Sequence, residues 1–161
     1  MIPEDGDSSG IFLHYTRYPQ PKTAGVLLLG TSGFAPRHST TYFETACQMN
    51  DDREIHPFAF RTHAHQWGSV IKGYKYSQES DEIEEIAAGN PQWPQQFYPI
   101  KKQVTVNEGE YLLARCTFNN SDGSRDIHIG MLPTFYHHLR ECELWYGRLY
   151  FTQLSNKYFI Q

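Results

Sequence analysis

Basic residues are scarce in this chain: 14 Lys and Arg stand against 18 Asp and Glu, for a formal charge of -4. No run of them is dense enough to track a polyanion, which excludes nucleic acid as the partner. Long apolar runs are missing too. The best, Ala24 to Gly30, is strand-sized, so the chain is expected to hold no transmembrane segment. Met1 to Gly10 is polar and acidic and lacks the basic and apolar zones of a signal peptide. There is no internal repeat and no low-complexity stretch. Cysteines number only three; two can pair in an oxidising compartment and leave one over, or all can stay reduced.

Aromatic residues, in contrast, are plentiful at 15% of 161 residues, with 11 Tyr, 10 Phe and 3 Trp. They suit pleated surfaces, and the length fits one domain with a real core. Gly, Pro, Asn and Asp recur between short runs rich in aromatic and β-branched residues, which predicts an all-β chain. The expected strands are Ile11–Arg17, Ala24–Leu29, Thr40–Met49, His56–His65, Ser69–Tyr76, Gln103–Val106, Tyr111–Phe118, Asp126–Gly130 and Trp145–Leu154. The acidic stretch from Ser77 to Ala88 reads as a solvated hairpin excursion, with a short helix as the alternative. Prolines in Asn90–Pro99 rule out a central strand there; a rigid loop packing its aromatics is the simplest reading. Many short strands in one domain imply an antiparallel β-sandwich or jelly roll.

One segment carries chemistry: Phe58-Ala-Phe-Arg61-Thr-His63-Ala-His65-Gln-Trp-Gly68. Alternation along a strand puts Arg61, His63 and His65 on one face, with successive positions roughly 6.6 Å apart. Two imidazoles at that spacing can converge on a metal ion. The guanidinium one step along can grip a carboxylate through its planar fork.

Several segments together resemble the copper type II, ascorbate-dependent monooxygenases. They are His14-Tyr-Thr-Arg-Tyr-Pro-Gln-Pro21 with Ala24-Gly25, Ala46-Cys-Gln48, Phe58 to His65 with Gly68, Gly73-Tyr74, Asn90-Pro-Gln-Trp-Pro-Gln-Gln-Phe-Tyr-Pro99, Leu113-Ala-Arg-Cys116 and His128-Ile-Gly130. The likeness is to the family's second, C-terminal copper domain, and the proline-glutamine stretch favours the peptidylglycine alpha-hydroxylating branch over dopamine beta-hydroxylase. On this reading residues 11–130 form the sandwich, 1–10 an N-terminal extension, and 131–161 a divergent tail carrying the last strands. The resemblance implies copper held by His63 and His65, Arg61 on the terminal carboxylate of a glycine-extended peptide, and O2 and ascorbate as co-substrate and reductant. It further implies a secreted or secretory-pathway protein, a separate N-terminal copper domain in the full-length enzyme, and a disulfide between Cys116 and Cys142, with Cys47 free.

The pattern breaks after Gly130. The family places a methionine ligand just before the later cysteine, where this chain offers Glu141, His137 or the nearby Met131 as third ligand. A thioether favours Cu(I), whereas carboxylate suits harder cations. The isolated chain is therefore expected to turn over weakly or not at all. The alternative is a non-catalytic peptide- or metal-binding sandwich module.

Overall fold

The computed structural model describes residue 6 and residues 9–50, 52, 54–129 and 148–155. Within them lie strands β1 (Thr23–Leu29), β2 (Gly33–Ala35), β3 (Ser39–Gln48), β4 (His56–His63) and β5 (Gly68–Ser77). There follow β6 (Glu82–Gly89), β7 (Tyr98–Pro99), β8 (Tyr111–Asn120), β9 (Ile127–Ile129) and β10 (Arg148–Ser155). All pairings are antiparallel. One sheet runs β1-β10-β4-β7, a second runs β3-β8-β5-β6, and β2 pairs with β9. The all-β sandwich expected from composition is the architecture found.

β8 shows why these residues make a sheet. Leu112, Ala114, Cys116, Phe118 and Asn120 are buried, while the residues between them are exposed or half-buried. This two-residue period matches the pleat, so one face of β8 enters the core whole. There it meets Ile71 of β5 and Phe43 of β3, whose ring stands edge-on to Phe118 at 5.3 Å. The opposite sheet contributes Leu29 and Phe60. Gly89 of β6 lets the layers approach: a Cβ there would stand 3.0 Å from the Phe60 ring and 3.2 Å from the Thr62 methyl. Asn120 is the polar member of this interior. Its amide donates to the carbonyls of Pro36 and Arg125, each at 3.0 Å, tying the end of β8 to the loops flanking β2 and β9.

Two expectations change, and a third is extended. Ile11–Arg17 is not a strand; Ile11 and Phe12 are 87% and 95% exposed, without a sheet face to bury them. Aromatic and β-branched composition alone mimicked a strand there. Gln103–Val106 makes a single bridge, Val106 to Ile55, instead of a ladder. The acidic stretch is the predicted hairpin, and its return arm is the full strand β6, entered through a turn with Asp81 at φ 54°. Aspartate tolerates that left-handed geometry.

Residues 148–155 join the fold as β10, which inserts between β1 and β4. Its register sets Tyr150 opposite Arg61 and Arg148 opposite His63. Among the described strands β10 is the partner of β1, so both β1 and one edge of β4 depend on it. Deletion of residues 148–161 is expected to abolish cooperative thermal unfolding and to produce aggregates in size-exclusion chromatography, because it opens two strand edges. A monomeric, cooperatively folding truncate would show that β10 contributes little.

An ion pair between β5 and the loop before β8 sets an acid limit on the fold. Lys75 lies 3.0 Å from Glu110, both side chains under 20% exposed, and also donates to the Thr105 carbonyl at 2.8 Å. Burial pushes the Glu110 carboxyl upward, but the Asn107 backbone N–H and Lys75 outweigh it and leave its pKa below the ordinary glutamate value. A depressed carboxyl stabilises fully above its unfolded pKa, and the contribution disappears as pH falls through the folded value. Urea titrations from pH 6 down to pH 3 are expected to show a steeper stability loss below about pH 4.3 for the wild type than for Glu110→Gln. Parallel curves would remove Glu110 from the account.

Candidate metal centre

β4 divides its residues between two surroundings. Phe60, Thr62 and Ala64 are buried, whereas Arg61 and His63 are half-buried and His65 is exposed. The ladder ends at His63, two residues short of the expected strand. The chain then turns tightly, the Gly68 N–H donating to the His65 carbonyl at 2.8 Å. Glycine is required at this close approach, because a Cβ on residue 68 would fall 2.4 Å from that of Ala64.

Despite the early end of the strand, the two imidazoles stay together. Their centroids are 5.8 Å apart and their planes 89° to one another. With metal–nitrogen bonds of about 2 Å, a ring centre sits roughly 3 Å from its metal, so two rings on one ion lie roughly 4.5 to 6 Å apart. The observed separation falls within that range. Arg61 holds its guanidinium carbon 5.9 Å from the centroid of the Phe97 ring, a cation–π placement.

Phe97 belongs to the proline-rich segment, and the role of that segment is the main feature sequence reasoning missed. Asn90–Pro99 is more than a loop packing aromatics, although Trp93 does pack at a tilt against Tyr98, centroids 5.6 Å apart. It runs beside the end of β4 as a strap. Gln92 donates through Nε2 to the carbonyls of His65 (3.0 Å) and Gly68 (3.1 Å). Gln95 donates through Nε2 to the carbonyls of Thr62 (3.1 Å) and Pro91 (3.3 Å), while its Oε1 meets His63 Nδ1 at 3.3 Å. The Pro-Gln spacing is visible in the sequence, but the strand it braces is remote in the chain.

Met131, His137 and Glu141 lie outside the described residues, as does Cys142. Among the described residues no group of three His, Cys, Asp or Glu side chains could hold a metal. The expected disulfide is corrected: Cys116 is a free thiol, and Cys47 is the disulfide-bonded cysteine, its partner outside the described residues. Cys116 points from the central strand β8 into the core at 2% exposure, and burial pushes its thiol up to about 12. Such a thiol supplies almost no thiolate for exchange. A groove of about 590 Å³ lies on the other sheet, lined by residues such as Glu44, Tyr74, Ile83 and Arg115, and takes no part in this centre.

Residues 22–134 match the family model described as copper type II ascorbate-dependent monooxygenase, C-terminal domain. Among curated proteins, the chain is 36% identical over 126 residues to the rat (Rattus norvegicus) peptidylglycine alpha-amidating monooxygenase, covering 77% of this chain and 13% of that one. It is 31% identical to the Xenopus laevis enzyme A over the same shares of each. Human (Homo sapiens) dopamine beta-hydroxylase is 30% identical over 135 residues, 76% of this chain and 22% of that one. The chain thus spans a small part of the length of these relatives.

The turn after β4 gives a direct test of the geometry. Gly68→Ala forces a methyl into Ala64, an overpacking that costs about 1–3 kcal/mol and displaces His65. Calorimetry is expected to show a lower Tm, and copper titration a weakened site, in the same variant. An unshifted Tm would mean the turn is looser than its contacts imply.

Proposed function

Because the chain belongs to the copper type II ascorbate-dependent monooxygenases, as their C-terminal domain, we propose that it is the copper- and peptide-binding half of a peptidylglycine alpha-hydroxylating enzyme. His63 and His65 are the copper ligands, and Arg61 binds the terminal carboxylate of a glycine-extended peptide. The observation that carries this reading is the facing imidazole pair, 5.8 Å between centroids, on the strand that also bears Arg61. When bound, copper supplies the redox chemistry by which O2, with ascorbate as reductant, hydroxylates the glycine alpha carbon.

The chain's own residues do the positioning. Arg61 pairs with the carboxylate in a two-pronged contact and so fixes the glycine end relative to the histidines. A carboxylate target also favours the peptide-directed branch, as does the higher identity to the amidating relative. The third ligand is one of Glu141, Met131 and His137. An N/O-only shell by X-ray absorption supports Glu141 or His137; a sulfur scatterer supports Met131.

A separate N-terminal copper domain completes the enzyme, in keeping with the small share of its relatives that this chain spans. The disulfide at Cys47 suits an oxidising, secretory compartment. The second reading, a peptide- or metal-binding module without turnover, draws on the absence of a third donor among the described residues.

The test joins metal content with peptide binding. The wild type is expected to take up one copper per chain and to bind a glycine-ended peptide but not its amide. His63→Ala loses the copper, and Arg61→Ala keeps the copper but loses preference for the free carboxylate, by roughly 10-fold or more, the 1.5–3 kcal/mol of a hydrogen bond to a charged group. Turnover with ascorbate is expected only when an N-terminal copper domain is added. Undiminished copper in His63→Ala would overturn the metal assignment; turnover by the chain alone would overturn the division of labour.

A further inference from the structure

We propose that Gln95 is a positioning residue for the metal centre, fixing His63 in the tautomer protonated at Nδ1 so that Nε2 is the nitrogen left to bind a metal. The inference rests on the reading of His63 as a ligand and deepens it by naming the donor atom and what selects it.

The orientation of the Gln95 amide follows from its neighbours. One end faces two backbone carbonyls, Thr62 O at 3.1 Å and Pro91 O at 3.3 Å. Carbonyls only accept, so the NH2 group must be at that end, with its two protons assigned to them. The opposite end is then the oxygen, which sits 3.3 Å from His63 Nδ1. An amide oxygen also only accepts, so Nδ1 carries the hydrogen. A neutral imidazole with a proton on Nδ1 has its lone pair on Nε2. Ligating histidines are commonly oriented by such a partner on the other ring nitrogen.

The amide itself is held in advance. Pro91 and Pro94 lock their φ angles on either side of Gln92. Gln92 is anchored by its N–H to Asn90 Oδ1 at 2.9 Å and by Nε2 to the His65 and Gly68 carbonyls. The same strap therefore fixes the His63 ring and the backbone that carries His65. Where β4 runs out of ladder partners, side-chain amides replace them.

The experiment reads the tautomer in the metal-free protein. Long-range 1H–15N correlation spectra of the wild type, above the titration of the ring, are expected to place the His63 proton on Nδ1. In Gln95→Ala the ring is expected to sample both tautomers, and copper affinity to fall about 10- to 100-fold. Gln95→Glu keeps an acceptor for the ring but forfeits both backbone donors, so it should retain the Nδ1 proton while losing thermal stability.

A wild-type proton on Nε2 overturns the proposal even if the alanine variant fails to fold. So does equal loss of stability in both variants with the tautomer unchanged. Zinc, titrated as a diamagnetic probe, separates this proposal from the function above. An Nδ1 proton in a protein that binds no metal leaves the tautomer lock standing and removes the metal centre. Metal bound through Nδ1 does the reverse.

Discussion

The alternation of β4 from Phe60 to His63 is the constraint on which the centre depends. Because successive side chains leave a strand on opposite sides, Phe60 and Thr62 can meet Gly89 across the sandwich while Arg61 and His63 remain available on the other face. Burial of the first set fixes the second. A one-residue slip would send the arginine and histidines into the core and the phenylalanine to solvent, a cost large enough to pin the register. The chemistry of the strand is thus held by the apolar contacts of its alternate residues.

Alternation alone would lose its hold at His63, where the ladder ends. Beyond that point the backbone is kept in place by the Gly68 turn and by the amides of Gln92 and Gln95. The strap supplies by side chain what a neighbouring strand supplies elsewhere, and it also brings Phe97 beside Arg61. On the far side of β4, β10 closes the ladder. The centre is therefore bounded by a proline-rich segment and by β10, two parts of the chain without a catalytic appearance of their own.

The errors of sequence reading have physical causes. Ile11–Arg17 has strand composition but no sheet to bury it, and periodicity measures composition rather than the presence of a partner. Family precedent pairs Cys116 with Cys142, yet the place of Cys116 on an inward face of β8 seals it in the core and keeps it protonated. The acidic stretch is legible as a hairpin because its turn chemistry is local. Its return arm as a full strand of the sheet depends on pairing with β5 and is not local at all.

Local pattern was enough for the all-β class, most strand positions, and the placing of Arg61 and His63 on one face, because these follow from a two-residue period and from turn residues within a short window. The family signature is written there too. It took the folded chain to bring β10 between β1 and β4, to leave Cys116 free, and to carry Gln95 to His63 from 32 residues away. Those facts require segments far apart in the chain to meet, and no local pattern encodes which distant amide will find which imidazole.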